Sequence, residues 1–171
     1  VINRYSNQQT MSQSAAHGDW MEIPLHGTYG EGKVAKVSKA DEALVKRYRW
    51  RATKNGYAEA RTHLRMHRLI MDALDPTTKQ LCVDHVNRDR LDNRRANLRR
   101  ATAQQNTWNG SLLRTNTSGA RGVYWDKRRL KWRACIHLNG RTKHLGSFTN
   151  KEDAANAYAE ALTHFAGAFT P

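Results

Sequence analysis

The chain is poor in cysteine, in long apolar runs and in acidic side chains, and each shortage excludes something. Its two cysteines, Cys82 and Cys135, lie far apart in strand-like runs. They support neither a disulfide framework nor a CxxC zinc site, so both read as small packing residues. No apolar run approaches the roughly 18 residues that cross a bilayer, and no signal-peptide core stands near the first residues, so a soluble, intracellular protein is expected. Acid is short by half: 15 Asp+Glu stand against 29 Lys+Arg, for a net charge of +14 and a pI near 10.3. That imbalance excludes an acidic surface and is the electrostatic footprint of a phosphate-backbone binder.

The positive charge is spread along the chain. Residues 1–27 carry −1, and the stretches 28–63, 64–116 and 117–171 carry +5 each, which implies a long contact path rather than one basic tail. At 171 residues two small domains are expected, each with a modest core. No heptad repeat or apolar seam decides the oligomeric state; a monomer is expected ahead of a dimer.

Residues 1–19 are rich in Asn, Gln, Ser and Thr without apolar periodicity and read as a loose tail. From Trp20 the texture changes. WMEIPL and GKVAKVS read as strands, Ser38 as an N-cap with Asp41 three residues on, and Leu44 and Tyr48 as one face of a short helix. YRWRAT and YAEART flank Lys54-Asn55-Gly56, a hairpin signal because both central turn residues require positive φ. Met66, Leu69, Ile70, Ala73 and Leu74 recur at helical spacing until Asp75-Pro76, with His67 off the stripe as a hydrogen-bonded structural histidine at the helix start.

Leu81 to Asn109 carries the chemistry. A short apolar run ends in Asp84-His85, the loop VNRDRLDNRRA is too polar and basic to be core, Asn97 to Arg100 can form a second strand, and Thr102-x-x-Gln105 is a capping box that starts a helix. In that strand, loop, strand, helix order, Asp84 on a strand and Asn106 on the helix offer two hard oxygens to a divalent cation, leaving the remaining positions to water and phosphate. His85 beside the metal-bound phosphate can take a proton from water, and Asn97 can fix the imidazole by a side-chain hydrogen bond. Arg94, Arg95 and Arg99 are the phosphate contacts expected around this site.

The series DH, N-R-x-x-N-L-R and T-x-x-Q-N resembles the HNH nuclease motif of phage and intron homing endonucleases, in the variant with Asn in place of the final His. The resemblance runs from the MHRLIM helix to about Asn109. It implies a ββα-metal finger with Asp84 and Asn106 as metal ligands, His85 as general base and Asn97 orienting the base. Replacement of the last His by Asn favours Mg²⁺ or Mn²⁺ over softer ions, one per site. If the gene is phage-borne, the expected location is the host cytoplasm.

Residues 110–117 lack periodicity and read as a linker. After it come three strand-like runs, RGVYWD, KWRACIHL and TKHLGSF, with an Asn139-Gly140 turn between the last two. Thr149 and Glu152 then make a capping box for a helix with Ala154, Ala155, Tyr158, Leu162 and Phe165 on its apolar face. Alternation puts Trp132, Ala134 and Ile136 on the helix side, while Arg133, Cys135 and His137 share a free basic face with Thr142 and His144. The pattern S-G-x-R-G-V-x-W, K-W-x-A, N-G-x-x-x-x-L-G-x-F and A-A-x-A-Y over residues 118–169 resembles the plant ethylene-response-factor type DNA-binding domain. That resemblance implicates Arg121, Tyr124, Arg133, His137 and His144 in contact with double-stranded DNA.

The expected whole is α+β: a mixed nuclease module over 20–109 containing the ββα-metal finger, joined by a linker to a three-stranded antiparallel sheet on one helix over 118–171. The expected function is site-specific, homing-type DNA cleavage, a metal-dependent phosphodiester hydrolysis leaving 3′-hydroxyl and 5′-phosphate ends. The competing expectation is a sequence-specific DNA-binding regulator with an inert HNH-like unit.

Overall fold

A computed structural model describes residues 18–169, so the tail expected over 1–19 lies, except for Gly18 and Asp19, outside the described residues. The architecture is mixed α+β with four α-helices and several small sheets. In chain order the elements are β1 (Trp20–Pro24), β2 (Val34–Ser38), α1 (Glu42–Val45), β3 (Arg51–Ala52), β4 (Ala58–Glu59) and α2 (Met66–Leu74). Then follow β5 (Cys82–His85), β6 (Asp92–Asn93), β7 (Leu98–Ala101) and α3 (Ala103–Asn109). The chain closes with β8 (Val123–Asp126), β9 (Lys131–Leu138), β10 (Arg141–Phe148) and α4 (Lys151–Ala166).

Antiparallel β1 and β2 form the expected pair, Trp20 opposite Ser38, and alternation turns Ile23, Ala35 and Val37 inward. β6 joins β2 in parallel, Lys36 opposite Asp92. This corrects the sequence reading, in which the loop after His85 was too polar to be core. Asp92 and Asn93 are almost fully covered, because their polar atoms find partners: Asp92 accepts Arg94 Nε and Asn87 Nδ2, and Asn93 Nδ2 donates to the Leu91 carbonyl.

Other local devices differ from their sequence signals. At Lys54-Asn55-Gly56 only Gly56 has positive φ, 78°, with Gly56 N–H donating to the Thr53 carbonyl and Thr53 N–H to the Tyr57 carbonyl. That is a turn ending in a left-handed glycine rather than a two-residue primed turn. At Asn139-Gly140 both residues have positive φ, 48° and 77°, as expected. The hydroxyl of Ser38 caps no helix and instead accepts the Arg95 N–H at 3.0 Å. Thr149 and Glu152 form no capping box, since Asn150 occupies the N-cap of α4.

α2 buries Met66, His67 and Ile70, while Ala73 and Leu74 are exposed. His67 thus lies on the inner face rather than off it. Around that face Trp50, Val37, Val45, Val83 and Leu98 complete the first core, and Trp50 Nε1 donates to the Val45 carbonyl at 2.8 Å. Each such side chain contributes about 1.5–3 kcal/mol by leaving water.

The second core sits between α4 and the sheet β10-β9-β8, where Ala134 and Ile136 meet Ala154, Tyr158 and Leu162. Trp132 flanks it and Phe165 is exposed, the latter against expectation. Gly122 at φ 67° closes this packing, because a Cβ there would stand 2.2 Å from the Tyr158 ring and 2.5 Å from the Cys135 carbonyl oxygen. Trp108 of α3 is also buried in the second core. The helix that ends the expected nuclease module therefore puts Trp108 into the second core while its Asn109 bonds Asp84 and the His85 carbonyl.

Candidate active site

β5 and β7 are antiparallel, with Asp84 opposite Arg99 and His85 opposite Leu98, and α3 follows after one residue. Thr102 starts α3 by the expected capping box: its hydroxyl accepts the Gln105 N–H at 3.2 Å, and its own N–H donates to Gln105 Oε1 at 2.8 Å. Consecutive strand residues point to opposite faces, so Asp84 and His85, both 5 % exposed, meet different neighbours.

Asp84 faces α3. Its Oδ2 accepts Arg99 Nε at 2.8 Å, and Asn109 Nδ2 donates to both carboxylate oxygens at 2.9 and 3.1 Å. The same Asn109 amide donates to the His85 carbonyl at 2.8 Å. Asn109, absent from the sequence-derived site, is thus the α3 residue that holds the Asp84-His85 strand end. Its only sequence signal is its place one turn beyond Asn106.

His85 faces a cluster of rings. Its centroid lies 5.0 Å from His67 and 6.1 Å from Tyr57, and Nε2 lies 3.4 Å from Asn93 Oδ1. Because Asn93 Nδ2 donates to Leu91 O, Oδ1 is the atom that faces the ring, a contact that favours the tautomer with the proton on Nε2 and the lone pair on Nδ1. Burial holds His85 below the ordinary histidine value, against the upward pull of Asn93 and of Asp84, Asp89 and Asp92. His67, 4 % exposed, is pushed down to about 3, by burial first and then by His85, Arg65 and Arg68. The expected hydrogen bond on His67 is missing, and its Nδ1 is buried without a partner.

Asn97 does not bond the imidazole, as the sequence reading expected; Asn93 takes that place. Asn97 braces the loop instead, donating through Nδ2 to the Asp92 carbonyl at 2.7 Å and accepting the Asn87 N–H at 3.0 Å.

Asp84, His85, Asn106 and Asn109 line one cleft of about 500 Å³, together with Lys33, Tyr57, Arg88 and Arg90. The arginines expected to contact DNA sit differently. Arg94 is held by Asp92 at 2.6 Å, Arg95 by Asp41 at 2.7 Å and Arg99 by Asp84 at 2.8 Å. Burial opposes ionisation of Asp92, yet the Arg94 fork and Asn87 keep its carboxyl below the usual carboxylate range.

In the second module, Arg121 is also engaged internally. Its Nη1 donates to the Thr107 and Trp108 carbonyls at 2.8 Å each, and its Nη2 to Gly110 O. It caps the C-terminal end of α3 rather than standing free on the sheet face. Tyr124, Arg133, His137 and His144 do share the exposed sheet face: Arg133 lies over the Tyr124 ring and donates to His144, while His137 meets Thr142.

Two oxygen-bearing side chains of the expected metal site line the same cleft. Asp84 and Asn106 bring a carboxylate and an amide oxygen to one cleft wall, and among the described residues no three His, Cys, Asp or Glu side chains cluster as a closed metal cage would require.

Residues 65–107 match the family of HNH endonucleases, a span containing Asp84, His85, Asn97 and Asn106. An uncharacterized HNH endonuclease of Acanthamoeba polyphaga mimivirus is 30 % identical over 135 residues, covering 75 % of this chain and 68 % of the viral protein. Protein 3.8 of Escherichia phage T7 is 32 % identical over 84 residues, covering 48 % of this chain and 69 % of the phage protein. The chain belongs to the HNH endonuclease family. No solved structure matches it.

Proposed function

We propose that this protein is a site-specific, homing-type DNA endonuclease that hydrolyses a phosphodiester of double-stranded DNA and leaves 3′-hydroxyl and 5′-phosphate ends. The observation that carries this reading is a buried, proton-poor His85 beside Asp84 on a cleft whose other cations face solvent. His85 Nδ1, freed by the Nε2–Asn93 contact, accepts the proton of the attacking water. Asp84 and Asn106 would hold Mg²⁺ or Mn²⁺, and the frame β5, β7 and α3 would serve as a ββα-metal finger. When bound, the ion neutralises charge on the phosphate and on the departing 3′ oxygen. Asn97 keeps the loop in register, and Asn109 keeps the Asp84 carboxylate aimed.

The second module would grip the DNA as an ethylene-response-factor type sheet does, through Tyr124, Arg133, His137 and His144. Its three antiparallel strands on one helix support this reading, as does a basic face narrow enough for a major groove. The working form is a monomer in the cytoplasm of the host cell.

The test is incubation of the full chain with plasmid or phage-genome DNA, with Mg²⁺ or with EDTA, beside His85→Ala. Metal-dependent cutting that disappears in His85→Ala, with ends that ligate without prior phosphorylation, supports the reading. DNA binding by both proteins with no cutting by either would overturn it and leave a DNA-binding protein with an inert HNH unit.

A further inference from the structure

Arg88 stands at the turn that follows His85, with its N–H donating to the His85 carbonyl at 2.9 Å and its φ at 66°. An arginine in the left-handed region is strained where a glycine would not be, and such strain gathers at functional sites. The turn needs nothing from this side chain, which is exposed and has no carboxylate partner among the described residues. The other arginines near the site contrast with it: Arg94, Arg95 and Arg99 are each bound by an aspartate. Arg90, also on the cleft, donates to the Asn55 carbonyl and lies 4.8 Å over the Tyr57 ring. Arg88 is therefore a cleft arginine whose guanidinium is uncommitted, on a backbone tied to the carbonyl of the base.

We propose that Arg88 binds a phosphate of the scissile strand beside His85, its fork taking two phosphate oxygens, and that the left-handed turn is tolerated for the sake of that contact. This rests on the nuclease reading and assigns the substrate contact that the aspartate-bound arginines cannot supply without breaking their pairs.

The full chain is compared with Arg88→Gly and Arg88→Lys by thermal unfolding, by cleavage in Mg²⁺, and by binding of a fluorescein-labelled duplex in EDTA across salt concentrations. Arg88→Gly should raise Tm by about 2–4 °C, as relief of a strained residue does in a chain of this size. It should lower kcat/KM for cleavage about tenfold or more, and reduce the slope of log affinity against log salt by about one. Arg88→Lys should keep most of the salt slope and recover part of the cleavage. A variant Arg88→Gly with unchanged cleavage and salt slope overturns the proposal, as does one whose Tm falls along with both. If the unaltered protein cuts nothing, the nuclease reading fails by itself, while the salt slope in EDTA still decides whether Arg88 meets phosphate.

Discussion

Before residue 110 the interior holds Asp41, Glu59, His67, Asp84, His85, Asp92, Asn93, Asn97 and Asn109, whereas after it Ser118 is the buried polar residue among those described. The strands differ in the same direction: β3, β4 and β6 have two residues each, while β9 and β10 have eight. The second module is held by regular ladders over an apolar core. The first has an apolar core as well and adds to it buried side-chain hydrogen bonds and ion pairs, which specify one arrangement but contribute little net free energy, because their desolvation offsets most of their attraction. The cleft residues thus sit where buried polar groups are concentrated, and Trp108 and Arg121 tie that region to the second core.

Four changes would break or sharpen this contrast. His85→Ala should lower the cleavage rate by about 10²–10⁴-fold, the range for loss of a general base, while circular dichroism of the second module stays unchanged; cutting within tenfold of normal would remove His85 from its role. Ile136→Ala, at a site 1 % exposed, should cost about 2–5 kcal/mol in denaturant unfolding. Its effect on the chemical step at saturating DNA should be small.

Arg121→Ala removes donors to the carbonyls of Thr107 and Trp108 in α3 and of Gly110 just beyond it, leaving these carbonyls unpaired or wet at a cost of about 2 kcal/mol. Unfolding should then separate into two transitions, and a single sharp transition of unaltered midpoint would show that the modules do not lean on this residue. The last effect appears only in acid. His67 titrates near 3 in the folded chain against 6.5 as a free side chain, so the unfolded state binds the extra proton between those values. Stability should therefore fall with decreasing pH across that window by about 1.4 kcal/mol per unit. His67→Phe should flatten that limb. For cleavage, the lowered His85 predicts a rate that is level near neutrality and drops only on the acid side of 6.5.

Much of this was legible in the residues. The capping box at Thr102, the Asn139-Gly140 turn, the alternation in β9 and the Asp84-His85 pair at a strand end are local signals, written by neighbours within four positions. Ser38, Thr149 and the Leu74 end of the α2 stripe carried equally good local signals and were overridden. Ser38 accepted the N–H of the distant Arg95, the neighbouring Asn150 took the N-cap position of α4, and Leu74 ended exposed while His67 was buried.

What the sequence alone determined is the class of chemistry and its order along the chain: a basic protein with a strand, loop, strand, helix unit bearing Asp84, His85, Asn97 and Asn106. Tertiary structure decided which side chains touch. It set Asn93 rather than Asn97 against the imidazole, brought Asn109 onto Asp84, turned Arg121 inward and left Arg88 facing the cleft. The reason is physical: composition and periodicity state what a residue can do, but a buried polar atom takes whichever partner the packed chain brings within about 3 Å.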